Sequence, residues 1–134
     1  MEAVMRDSDR NLQRKAIIED YIQAYNNLDP EKMLVHLHDE IVYTNSFLDS
    51  VDIHTHGKSA FKSQAESIIR DFIVRRMTIV GWTFSSTKVA IDIEYDVILN
   101  SADEIILEEQ YVDLTGFIEF WFRGEKIAYI NSFV

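Results

Sequence analysis

The sequence predicts one α+β domain, with helices packed on a curved antiparallel sheet around an apolar pocket. Apolar residues recur at helical spacing in the first half of the chain and alternate with period two in the second half. Helices and one strand come first and a run of strands follows, an order that favours segregated layers over parallel βαβ crossovers. With 134 residues, 47% of them hydrophobic, the chain can bury one core without staples.

Residues 1–8 read as a flexible lead-in and residues 9–134 as the domain. Leu12, Ala16, Ile17, Tyr21, Ala24, Tyr25 and Leu28 form the apolar stripe of a first helix. Asp29 can cap a second, short helix that takes Pro30 at its first position and has Met33, Leu34 and Leu37 as its apolar side. Residues 41–45 read as a strand with Ile41, Tyr43 and Asn45 on one face, and residues 46–57 as a polar, irregular loop closing at Gly57. Ser59 is placed to cap a third helix carrying Phe61, Ala65, Ile68, Ile69 and Phe72. Residues 77–84 form a strand. In the next, Val89, Ile91, Ile93, Tyr95 and Val97 alternate with Lys88, Asp92, Glu94 and Asp96. A turn near residues 100–104 leads into a long strand ending at Phe122, with a bulge expected along it. Arg123, Gly124 and Glu125 make a tight hairpin into a last strand, 127–134.

Composition excludes several functions. The net charge of −10, from 23 acids against 13 bases, repels phosphate backbones, and no basic stripe offsets it, so no nucleic-acid partner is expected. The apolar runs are far short of a membrane span and the charged start is unlike a signal peptide, so a soluble, cytoplasmic protein with no membrane partner is expected. The absence of cysteine suits a reducing compartment and removes disulfides, thiolate metal sites and a thiol nucleophile. The four glycines are scattered, with no phosphate cradle and no nucleophile elbow. The acids Asp92, Glu94 and Asp96, with Glu108 and Glu109 across from them, read as a solvated strand face.

The segments YIQAYNNLD at 21–29, MLVHLHDEIVY at 33–43, GKSAF at 57–61 and FIEFWFRGEKI at 117–127 give the chain a family resemblance. It resembles the nuclear transport factor 2-like superfamily, and within it the SnoaL-like and ketosteroid isomerase-like proteins. That resemblance implies a cone-shaped, cystatin-like roll with three N-terminal helices on a curved, mainly antiparallel sheet. It also implies a hydrogen-bond-donating tyrosine at Tyr21 on the first helix. The family's general base falls on Asn45, whose amide takes no proton at neutral pH, and its protonated aspartate falls on Ile118. Steroid isomerase activity is therefore not expected. Tyr21 also has a plain alternative as a packing residue with a satisfied hydroxyl.

By the same resemblance Leu114, Ile118, Phe120 and Phe122 point inward, and so do Ala128, Ile130 and Val134. Asp113, Thr115, Phe117, Glu119, Trp121, Ile127, Tyr129 and Phe133 point outward. The outward aromatics form an apolar patch, and family members commonly pair through this face, so a homodimer is expected; cover by the N-terminal segment is the alternative. The expected ligand-binding set is Tyr21, Tyr25, Tyr43, Asn45, Trp82, Tyr95, Ile118 and Phe120, holding a small apolar or aromatic compound by a few polar contacts. Gly81 can mark a bulge that changes where Trp82 points.

The histidines fall in two pairs. His36 and His38 would diverge on a helix, whereas His54 and His56 on a strand would share a face and could chelate a metal. No third ligand is placed by the sequence, so no metal and no cofactor is expected. His54 or His56 at the pocket mouth would be the general acid or base, beside Tyr21 and Asn45 as candidate catalytic groups, with exposed loop histidines as the alternative. Two functions remain open: a small-molecule pocket protein acting as an isomerase, cyclase, dehydratase or hydrolase, and a non-catalytic ligand-binding or dimerisation module.

Overall fold

The computed structural model describes residues 6–47, 50–99 and 111–133. Three helices, α1 (Asp7–Asn26), α2 (Pro30–Leu34) and α3 (Lys58–Asp71), accompany six strands. The strands are β1 (Leu37–Phe47), β2 (Ser50–His56), β3 (Phe72–Phe84), β4 (Lys88–Leu99), β5 (Tyr111–Arg123) and β6 (Lys126–Phe133). They form one sheet in the order β2-β1-β6-β5-β4-β3, antiparallel throughout except where β1 runs parallel to β6. The fold is α+β with a mostly antiparallel sheet, and β3 to β6 are the expected meander.

Helix α1 starts at Asp7, inside the expected lead-in. Its buried stripe is Ile17, Ile18, Tyr21, Ile22 and Ala24, while Leu12 is 66% exposed. The stripe is rotated from the expected one because Ile18 and Ile22 compete for the core face. After Asn26 the chain turns by bonds from Leu28 N–H to Tyr25 O and from Asp29 N–H to Ala24 O, which hold Leu28 at φ 56°. That left-handed conformation costs a residue with a Cβ about 1 kcal/mol. Asp29 then caps α2 as expected, its carboxylate accepting from Lys32 N–H at 3.2 Å.

Leu37, expected on α2, begins β1 instead and is fully buried. Much of the expected loop 46–57 is strand β2, which forms a hairpin with β1. Helix α3 is opened by Gly57 rather than Ser59: Gly57 has φ 89°, donates to Ile41 O at 2.7 Å and accepts from Phe61 N–H. The expected turn at 100–104, Glu108, Glu109 and Val134 lie outside the described residues.

Two bulges decide which side chains face the helices. Ile79 pairs with Ile93 and Gly81 with Asp92, so Val80 is an extra residue in β3. Trp121 pairs with Tyr129 and Phe122 with Ile127, so Ala128 is an extra residue in β6. The register of β4 with β5 is unbroken, so the bulge expected in β5 lies in its neighbour. Because of Ala128, Ile127 faces inward and is fully buried, contrary to expectation, and Ile130 and Ser132 follow it into the core.

One side chain of α1 bonds directly to the backbone of the sheet's far edge strand. Asn26 Nδ2 donates to Met77 O at 2.8 Å, and Met77 N–H donates to Asn26 Oδ1 at 2.7 Å. The amide thus acts as a further strand partner for edge strand β3, satisfying both backbone groups of Met77. Replacing it with Ala leaves both groups unpaired. Asn26→Ala is expected to destabilise the fold by about 2 kcal/mol in urea denaturation. Asn26→Asp should rescue little, because its carboxylate faces the Met77 carbonyl; a loss near zero for either variant would show that other contacts hold this edge.

Candidate functional site

Tyr21 and Tyr25 lie one turn apart on α1 and so project from the same side of the helix. Opposite them, Phe61, Gln64, Ala65 and Ile68 recur at helical spacing along α3. Met33 from α2 and Tyr43 from β1 complete the lining of a cleft of about 300 Å³, measured to its open mouth.

The walls are built by aromatic contacts. Tyr21 meets Phe120 edge-on, with ring centroids 5.8 Å apart, and Phe61 at 6.4 Å. Tyr43 meets Phe61 edge-on at 5.5 Å. Tyr25 and Tyr95 share a hydrogen bond between their hydroxyls, 2.5 Å long. No carboxylate or imidazole is among the described lining residues, and a cleft of this kind holds neutral, apolar matter well.

The sheet places the other expected residues in two rows. Tyr43, Ile130, Phe120, Val89 and Phe84 are successive partners across five strands. Asn45, Ser132, Ile118, Ile91 and Trp82 form the next row. Phe120 and Ile118 are buried in the core, and Phe120 meets the lining residue Tyr21. Trp82 does face the helices, but three strands separate it from β1. There it stacks on Phe84 at 5.7 Å beneath the Lys15 ammonium and is no part of the cleft.

Asn45 shares the helix-facing side of β1 with Tyr43, although it does not line the cleft. Its Oδ1 is buried with no hydrogen-bond partner, and so is Oγ1 of Thr55, the residue paired with Tyr43. Buried acceptors without partners are rare in folded proteins and mark positions where water or a ligand completes the bonding.

His54 and His56 do not reach the mouth of this cleft. They pair with Thr44 and Val42, so they stand on the opposite face of the sheet, where Thr44 Oγ1 bonds Asn131 Oδ1 at 2.9 Å. Both are exposed, and His56 Nε2 lies 2.9 Å from Glu40 Oε2. His36, beyond α2, lies 3.2 Å from Asp20 on α1, and His38 sits in β1, its Nδ1 accepting from Glu40 N–H. No group of three or more metal-ligating side chains occurs among the described residues.

That outer face is a mixed aromatic and polar surface. Phe117 stacks on Phe133 at 4.4 Å, and Trp121 meets Tyr129 edge-on at 5.0 Å. Lys88 bonds Glu119 at 2.5 Å while lying 5.1 Å above the Trp121 ring. Lys62 of α3 pairs with Glu31 of α2, and the hydrogen bond to that carboxylate holds the ammonium pKa above its usual value. No helix among the described residues is long and apolar enough to cross a membrane.

Comparison with known proteins places this architecture. A proposed polyketide cyclase from Xanthomonas campestris pv. campestris superposes with a TM-score of 0.76 at 17% identity, covering 92% of this chain and 90% of that one. A protein of ketosteroid isomerase-like fold from Catenulispora acidiphila, solved with trimethylamine, gives 0.74 at 13% identity over 88% and 84%. An LEH-like epoxide hydrolase from M. tuberculosis gives 0.71 at 13% identity over 91% and 82%. At these identities the likeness is one of fold. No curated protein matches the sequence significantly. The SnoaL-like domain model matches residues 18–130, from the middle of α1 into β6, and the chain belongs to that family.

Proposed function

We propose that this SnoaL-like domain is a pocket protein for a small apolar or aromatic compound carrying oxygen, bound among α1, α2, α3 and β1. The convergence of three tyrosines from two elements on one otherwise apolar cleft carries this reading. Phenol rings supply flat apolar walls and their hydroxyls supply polar contacts at fixed places, which is what a flat oxygenated ligand needs. Tyr21 would orient a ligand oxygen, and Asn45 would complete its unpartnered acceptor with a ligand or water hydrogen. The cysteine-free chain would work in the cytoplasm.

Structural relatives named for cyclisation and epoxide hydrolysis support turnover as the second reading, with an isomerase, cyclase or dehydratase acting on such a compound. The described lining favours binding over proton abstraction, because its polar side chains are phenols and one amide. A thermal-shift screen of aromatic and polycyclic alcohols and ketones tests the pocket directly. Ligands should raise the melting temperature of the wild type, and Tyr21→Phe should weaken them by about 1 kcal/mol, roughly fivefold. Binding indifferent to that change would remove Tyr21 from the site.

The chain would pair with a second copy through the outer face of β5 and β6. Phe117 is 41% exposed there despite its stacked partner Phe133, an exposure that pairing would remove. Sedimentation equilibrium at micromolar concentration should give a dimer, and Phe117→Asp should shift it to monomer with the melting transition retained. A wild-type monomer would end the proposal.

A further inference from the structure

Gln64 is the cleft's single non-aromatic polar side chain among the described lining residues. It interrupts the apolar stripe of α3, between Phe61 and Ala65, where a leucine would continue the core. Its amide has no hydrogen-bond partner among the described residues, yet it can accept through oxygen and donate twice through nitrogen. A residue of that kind discriminates among ligands by the groups it leaves paired or unpaired.

The surroundings decide which ligand group it favours. The nearest cation along α3, Lys62, pairs with Glu31 of α2 and is not among the described lining residues. No lysine or arginine is among them, and the chain's charge of −10 opposes an incoming anion. On the same helix-facing side of the sheet, the unpartnered Asn45 Oδ1 and Thr55 Oγ1 belong to neutral groups, not cations. A carboxylate moved from water into this setting would lose its hydration with no counter-charge in return.

We infer that Gln64 is the specificity-determining group of the cleft, selecting an uncharged planar ligand with a neutral donor–acceptor group, such as a carboxamide, over the matching carboxylate. Carboxamide and Gln64 would exchange two hydrogen bonds side by side, an arrangement a carboxylate cannot complete because it has no hydrogen to donate. This rests on the cleft being a ligand site, as proposed above, and the test separates the two.

Titration calorimetry of the full chain with the carboxamide and the carboxylate of naphthalene, near neutral pH, compares two ligands of the same shape. The wild type should bind the amide at least about tenfold tighter than the carboxylate. Gln64→Leu should weaken the amide several-fold and so narrow that preference while the desolvation cost of the carboxylate stays, and Gln64→Lys should reverse it by supplying a cation. Gln64→Glu, nearly the same shape, keeps the test available should Leu disturb packing, and should weaken the amide while rejecting the carboxylate further. Equal binding of the two ligands by the wild type, or an unchanged preference in folded Gln64 variants, would overturn the role of Gln64 while leaving the cleft in place. Binding of neither ligand by folded wild type would overturn the cleft reading along with it.

Discussion

The only parallel pairing among the described residues, β1 against β6, is the constraint on which the site depends. It joins the hairpin that follows the first two helices to the end of a meander closed some ninety residues later. Leu37 pairs with Ile127, and both are fully buried; Ile127 N–H donates to His36 O at 2.8 Å. Above that anchor the register slips, because Val42 pairs with Tyr129: five residues of β1 pass two of β6. The slack lets β1 curve, and it brings Tyr43 beside Ile130 and Phe120, the residue that Tyr21 meets edge-on. Without this closure, α1 and α3 would have no common wall to enclose. The loop entropy of such a distant contact is offset by fully apolar partners at its base.

The architecture was legible in the residues because both periodicities are strong. The segregated order, the 3.6 spacing of Phe61, Ala65 and Ile68, and the alternation in Val89, Ile91 and Ile93 each lead to the observed element. Side-chain facing was less legible, because a bulge adds one residue without changing composition. Gly81 signals the bulge beside it, where a Cβ would come within 2.7 Å of Asp92 Oδ2. Ala128, between apolar neighbours, carries no such mark, so Ile127 read as outward although it is in the core.

A different cause, a strand read as a loop, misplaced the histidines. Read as part of a polar loop, His54 and His56 are free to reach the pocket; read as strand residues, they are committed to one face by their pairing with β1. The alternation of Val51, Ile53 and Thr55 with Asp52, His54 and His56 was the available signal. It fixes that the two imidazoles share a face, but only the register with Thr44 fixes that the face is the outer one. The cleft was half legible: Tyr21, Tyr25 and Tyr43, singled out in the sequence, are among its lining residues. Met33, Phe61 and Ala65 looked like ordinary core, and Gln64 had significance only once α3 was known to face α1.

Part of the cleft's space of about 300 Å³ is open to solvent, which bears on how a ligand would fit. A naphthalene-sized molecule buried there needs more enclosed room than the walls leave, so something in the lining must yield. Tyr43, Phe61, Tyr21 and Phe120 form a chain of ring contacts, and moving either middle ring breaks contacts on two sides. Met33 is the softer wall. It is unbranched with a polarisable sulfur, and it sits on a helix of only five residues, fastened by the Asp29 cap and the Glu31–Lys62 pair. An exposed ion pair contributes little, so shifting α2 costs far less than unpacking the aromatic cluster. Ligand depth would therefore be set on the α2 side, and orientation by the rigid side that carries Tyr21, Tyr43 and Phe61.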